Sequence, residues 1–187
     1  KDIMENVIEF ESPVTEVNIR GYRVMKGFNA GQAMTAANLI NTAEKPVIYA
    51  GGGVISSQAS QELFELAEKM QIPVTTTLMG MGAFPSRNPL SLGMLGMHGT
   101  RYANYAIGEC DVLIAMGVRF DDRVTGKIAH FAPHAKVIHM DIDAAEIGKN
   151  VNVDVPIVGD LKEILQALLP RLQPETDLSP WHETIER

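Results

Sequence analysis

The chain has 187 residues, 45% hydrophobic and 21% charged, a balance that suits one globular domain with a single sizeable core, or one domain with tails. Its formal net charge is -7 and no block of Lys and Arg occurs, which argues against a nucleic-acid surface, since phosphate neutralisation needs clustered cations. A small anionic ligand stays open, because a few Arg side chains and backbone N–H groups can hold one whatever the net charge. Cys110 is the only cysteine, so no internal disulfide or zinc-type Cys/His cluster is expected, and a reducing compartment is the natural setting. No apolar run of about 18 residues indicates a membrane span. The chain opens on Lys1 without a leader pattern, which leads us to expect a piece of a longer polypeptide.

In chain order, residues 1–28 are mixed in character and, with Pro13, Gly21 and Gly27, read as an N-terminal arm or linker. From Ala30 to Ala43 the spacing of Ala33, Ala36, Ala37 and Ile40 predicts a helix. Pro46 to Ala50 reads as a buried strand ending in Gly51-Gly52-Gly53, and Ser56 or Ser57 is expected to cap the helix that carries Leu63, Leu66, Ala67 and Met70. Pro73 to Thr77 reads as a second strand. Leu78 to Gly99, rich in Gly and Met, reads as loop with a short strand near Leu92, and Thr100 as the cap of a helix running to about Gly108. Asp111 to Met116 and Lys136 to Asp141 are two further strands. Asp143-Ala144-Ala145-Glu146 and Asp160-Leu161-Lys162-Glu163 both have capping-box form, and the second opens a helix carrying Leu161, Ile164, Leu165, Leu168 and Leu169. Residues 174–187 read as the start of a linker, leaving 29–173 as the domain. Short apolar strands without polar alternation, interleaved with helices, predict an α/β fold whose parallel sheet is covered on both faces. Ligands on such folds sit at the carboxyl ends of the strands near a topological switch.

Candidate ligand contacts therefore cluster at strand ends. The Gly51-Gly52-Gly53 turn can bring backbone N–H groups to a phosphate, although a tight βα turn needs no ligand. The G-x-G-x-x-G fingerprint fails at Ser56, and Thr75, Thr76 and Thr77 stand where an acidic residue would end the second strand, which disfavours a nicotinamide site. Two Gly/Met runs, Leu78 to Pro85 and Leu92 to Gly99, can line an adaptable apolar pocket, or supply ordinary core filler. Taken alone, His98 reads more readily as a hydrogen-bonded structural histidine. The run Arg119-Phe120-Asp121-Asp122-Arg123 carries forks that match phosphate or carboxylate, unless it is a solvated, self-paired loop. Asp141 can accept from ribose hydroxyls, whereas Asp143 and Asp160 have a competing role as caps.

Together these segments resemble one family. Tyr49-Ala50-Gly51-Gly52-Gly53, Leu95-Gly96-Met97-His98-Gly99, Gly117-Val118-Arg119-Phe120-Asp121-Asp122-Arg123-Val124-Thr125-Gly126 and Asp141-Ile142-Asp143 are similar to the middle domain of acetolactate synthase catalytic subunits, over roughly Ala30 to Leu172. The Arg-Phe-Asp-Asp-Arg-Val-Thr-Gly run is the most specific of them. The resemblance implies a doubly wound, mainly parallel six-stranded sheet that holds FAD, in an enzyme that decarboxylates pyruvate on thiamine diphosphate and joins the two-carbon unit to pyruvate or 2-oxobutyrate in branched-chain amino-acid synthesis. Its reaction needs no net redox, so the flavin is largely structural. Carried over by position, the implied FAD contacts begin with Gly51, Gly52, Gly53, Thr77 and Leu78. Leu95, Gly96, Met97 and His98 follow, then Gly117, Arg119, Asp121, Arg123 and Val124. Asp141, Ile142, Gly159 and Asp160 complete the set. Met97, Asp122 and Arg123 are the implied substrate- and herbicide-facing residues. Thiamine diphosphate and Mg²⁺ belong to domains outside this chain, which has no Gly-Asp-Gly run followed by Asn-Asn, so no metal ligand and no catalytic residue is assigned here. The family context implies a homodimer or tetramer of full chains, a possible regulatory small subunit, and a cytoplasmic setting in bacteria or an organelle in eukaryotes. Other thiamine-diphosphate enzymes of the pyruvate oxidase or glyoxylate carboligase type, a non-catalytic nucleotide-binding domain and a structural spacer stand as alternatives.

Overall fold

In the computed structural model, which describes Val7, Glu9 and residues 27–186, the elements follow from local sequence chemistry. The expected N-terminal arm falls almost wholly outside the described residues. Helix α1 (Ala30–Thr42) starts where the Asn29 side chain accepts from the N–H groups of Gly31 and Gln32. It buries Ala33, Ala36, Ala37 and Ile40, as the spacing predicts. Strand β1 (Pro46–Ala50) is buried at every position, and the short helix α2 (Gly52–Ser56) follows at once.

Helix α3 (Ser60–Met70) buries Leu63, Leu66, Ala67 and Met70 but has Ala59 before it, with no side-chain cap. The expected serine cap is therefore not made. Ser57 instead ends α2, and its hydroxyl donates to the carbonyls of Gly53 and Val54.

Strands β2 (Val74–Thr76) and β3 (Ser91–Met94) come next, the second of them the short strand expected near Leu92. Thr100 caps α4 (Arg101–Glu109) by accepting from the Ala103 N–H. Then come β4 (Val112–Met116), the single turn α5 (Asp122–Thr125), β5 (Lys136–Asp141) and β6 (Val155–Val158). Asp160 caps α6 (Leu161–Leu168) through the Glu163 N–H, as its box predicts. The Asp143 box forms only a turn: its carboxylate accepts from the Ala145 N–H and no helix follows. Ala144 and Ala145 are exposed, Ile147 is only half-buried, and Gly148 adopts φ +70°, so no buried stripe exists to hold a helix there.

The six strands form one all-parallel sheet in the order β3-β2-β1-β4-β5-β6. Both faces are covered. Ile48, Ile114, Met116, Ile138 and Met140 point into one core with α1, α3 and α6. Val47, Tyr49, Leu113, Ala115 and Val137 point into the other with α4 and α7 (Ser179–Glu186). Burial on both faces explains why the strands read as continuous apolar runs. The stretch 174–187, read as a linker, carries α7 over most of its length. Trp181 is 2% exposed there, and its indole N–H donates to the Pro46 carbonyl.

Candidate functional site

Strand order reverses between β1 and β4, and a crevice opens where their following turns diverge. The two turns touch through backbone. Gly51 N–H donates to Met116 O, Gly53 N–H to Gly117 O, and Gly117 N–H to Met140 O. A Cβ on Gly51 would lie 2.1 Å from Gly117 O, and one on Gly53 would lie 2.6 Å from Gly117 Cα. Gly117 itself has φ +58°. Contact between turns therefore requires these glycines even without a ligand, and the amides of Gly51 and Gly53 are engaged internally.

The β4–α5 loop carries the charges. Phe120 has φ +50°, a left-handed conformation unusual for a bulky side chain, and is only 2% exposed. Its ring lies 6.0 Å from Tyr49, 5.8 Å from Phe131 and 5.0 Å from His139, centroid to centroid. With Phe120 turned inward, its neighbours Arg119 and Asp121 are exposed. Asp121 caps α5 by accepting from the Arg123 N–H. That bond, the Asp122 side chain and the nearby Arg119 and Arg123 cations hold its carboxyl below the usual range. The Asp122–Arg123 pair is long, 3.7 Å, with side chains 84% and 76% exposed, so it binds neither group firmly.

These pieces line a cavity of about 540 Å³. Its apolar wall is Tyr49, Leu78, Met79, Val118, Phe120 and Val124; its cations are Arg119 and Arg123; Gly52, Gly53, Gly117 and Thr77 form part of the backbone lining. Carboxylates come from Asp121, Asp141, Asp143 and Glu146. A second cavity of about 240 Å³ shares Gly53, Gly117 and Asp141 and adds Ile142, Asp160 and Ser57. Asp141 is 9% exposed; burial pushes its carboxyl above the usual range, although one oxygen accepts from the Asp143 N–H.

Other expected contacts stand back from the cavities. Gly51 lies beneath the turn crossing, and Leu95 is buried in the core at 3% exposure. Gly96, at φ +100°, packs on Arg123 and Val124 and is bonded on both its N–H and its carbonyl by the Asn104 side chain of α4. Met97 N–H donates to Arg123 O, which sets Met97 beside Arg123 at 67% exposure. His98 is exposed on the same loop. Gly159 N–H donates to Asp141 O. Sequence reasoning missed Tyr49, Val118, Phe120 and Glu146 as lining residues, whereas Met79 lies in a Gly/Met run read there as a pocket wall. Glu146 was visible only as half of a capping box. Here one of its oxygens bonds Lys149, and the other, Oε2, is buried without a partner.

The chemistry of the crevice suits an extended ligand. Arg forks match phosphates, carboxylates accept from hydroxyls, and an apolar wall can pack on a flat ring. The unpartnered Glu146 oxygen is an acceptor awaiting a donor. FAD has each of these parts. Among the described residues no group of three or more His, Cys, Asp or Glu side chains is placed to hold a metal ion, and no helix is long and apolar enough to cross a membrane.

A parallel doubly wound sheet with its crevice at the switch point places the chain among doubly wound α/β domains. Residues 33–168 match the thiamine pyrophosphate enzyme central-domain family, and the chain belongs to it. Among named proteins, it is 58% identical to a probable acetolactate synthase large subunit of Methanocaldococcus jannaschii, over 92% of this chain and 29% of that protein. It is 51% identical to an acetolactate synthase of Mycobacterium bovis, over 92% and 28%, and 47% identical to the large subunit of Porphyra purpurea, over 100% and 33%. The resemblance drawn from the motifs is thus borne out. The chain spans a third or less of the length of these curated relatives.

Proposed function

We propose that this chain is the FAD-binding middle domain, residues 29–173 with α7 docked on it, of an acetolactate synthase. The observation that supports this best is the convergence of Arg119, Arg123, Asp141 and Glu146 with the apolar wall on one crevice at the switch point. Arg119 and Arg123 would hold the pyrophosphate, Asp141 and Glu146 the hydroxyls, with the smaller cavity at Ile142 and Asp160 continuing the groove. Met97, Asp122 and Arg123 form an exposed rim suited to an oxo-acid substrate or a herbicide. When bound, FAD supplies a flat isoalloxazine ring, structural in a carboligation without net redox change.

In the complete enzyme, other domains would carry thiamine diphosphate and Mg²⁺. The substrates would be pyruvate, and pyruvate or 2-oxobutyrate as second partner. Full chains would pair as dimers or tetramers, with a regulatory small subunit as a further partner and the cytoplasm, or an organelle in a eukaryote, as the setting. The test uses the complete polypeptide. We expect FAD to bind with a shifted flavin spectrum, and Arg119→Ala to weaken it by about 1.5–3 kcal/mol, the scale of a hydrogen bond to a charged group. Unchanged affinity in that variant would refute the site, and production of acetyl phosphate or tartronate semialdehyde in place of acetolactate would move the chain to a pyruvate oxidase or glyoxylate carboligase reading.

A further inference from the structure

The turn that presents Arg119 is held by two side chains at three consecutive carbonyls. His139, on β5 and fully buried, makes a 2.9 Å bond from Nε2 to Val118 O, so this nitrogen carries the proton. Asn150 donates from its single amide nitrogen to Arg119 O at 3.0 Å and Phe120 O at 3.1 Å. The next residue, Val151, is 8% exposed and buried in the same apolar cluster as Phe120, which fixes the donor relative to the turn it grips. Phe120 between them has φ +50°, a conformation an L-residue keeps only when its surroundings over-determine it. Asn150 lines none of the crevice, so its bonds act on the turn rather than on a ligand.

We propose that Asn150 is a positioning residue for cofactor binding: it locks the Val118–Phe120 turn so that Arg119 faces the crevice before the ligand arrives. The inference rests on the reading that Arg119 holds FAD. Without the Asn150 amide, Phe120 can relax toward extended backbone and the carbonyls of Arg119 and Phe120 turn to water. The Arg119 fork then samples many orientations, and ordering it falls to the ligand.

A double-mutant cycle in the complete polypeptide tests this, with FAD affinity read by flavin fluorescence and thermal stability measured on the same samples. Asn150→Ala should raise the FAD dissociation constant about tenfold when Arg119 is present and less than about twofold in the Arg119→Ala background, the signature of coupled neighbours. Asn150→Leu, which keeps side-chain bulk without a donor, should behave alike and serves if the alanine variant does not fold. An equal loss in both backgrounds, or none in either, overturns the positioning role while leaving the FAD site standing. If Arg119→Ala alone leaves FAD affinity unchanged, the reading of the site falls and this inference falls with it.

Discussion

His139 shows how one buried side chain links the site to pH. It is fully buried, and burial lowers its pKa, more than its bond to Val118 O and the Asp141 and Glu146 charges raise it. The unfolded chain therefore takes up a proton on this residue at higher pH than the folded one. The stability that neutral His139 contributes is present above its unfolded pKa, about 6.5, and is lost as pH falls through the lowered folded value. Asp141 acts oppositely: its folded pKa is raised, so its contribution is present at low pH and lost as pH rises through that value. Comparing variants isolates the histidine. Denaturant unfolding between pH 7 and 5 should show stability falling in the parent and a flatter slope in His139→Gln; parallel slopes would show that His139 does not set the dependence. At the rim, Met97 stands beside Arg123 through the 3.0 Å bond from its N–H. Met97→Ala and Arg123→Ala in the complete enzyme should shift the ratio of acetohydroxybutyrate to acetolactate by no more than about 1–3 kcal/mol, the reach of one methylene. A parental ratio in both variants would remove them from the substrate site.

Helix α7 is the element whose place in the fold was least legible. Its apolar content within Ser179–Glu186 is essentially Trp181 and Ile185, one i,i+4 pair after Ser179-Pro180, too short for a periodic signal against a Pro-rich approach. Long helices with small apolar stripes, such as α1, were readable from their periodicity, and fully apolar strands, such as β1 and β4, from unbroken apolar runs. Caps were readable where the side chain had a helix to open, as at Thr100 and Asp160, and not at Ser57, where the chain was still completing α2. In the site, charged strand-end residues stood out, while Tyr49, Val118 and Phe120 looked like core. They are core on one side and cavity wall on the other, a distinction that lies in the Phe120 backbone rather than in its residue type. The docking of α7 has an energetic consequence. Trp181 is buried in the apolar cluster that also holds Val47, Ala103 and Ile107, its indole N–H is bonded to Pro46 O, and Lys45 Nζ lies 5.8 Å from its ring centroid. Trp181→Ala should cost about 3–5 kcal/mol in denaturant unfolding. A loss under about 0.5 kcal/mol, within the range of an ordinary surface change, would mean that α7 is only loosely attached.

At the scale of the molecule, the strand order was hidden because parallel strands buried on both faces look alike in sequence; only long-range pairing distinguishes β1 and β4 as central. Parallel pairing puts the carboxyl ends of all six strands on one edge, and that order sets the crevice at the reversal. The edge also exposes Leu78, Met79 and Met97, at 69%, 74% and 67%. On the proposed reading, a ligand held here would be gripped from one side by this chain, with the reacting centre built by other domains. Carboligation requires a thiamine ylid, formed with a carboxylate on the pyrimidine and a metal clamp on the diphosphate, each in fixed geometry. The chain has no Gly-Asp-Gly run followed by Asn-Asn to supply that clamp, and it covers a third or less of its named relatives. We therefore expect the purified 187-residue chain to form no acetolactate from pyruvate when Mg²⁺, thiamine diphosphate and FAD are all supplied, beside a complete enzyme that does. Its affinity for FAD should also be lower than that of the complete enzyme, because the ring end of the ligand would meet solvent over those exposed side chains. The assay is direct detection of acetolactate over time with both proteins at equal concentration. Sustained turnover by the short chain would place a catalytic centre within it and overturn the division of labour argued from its fold.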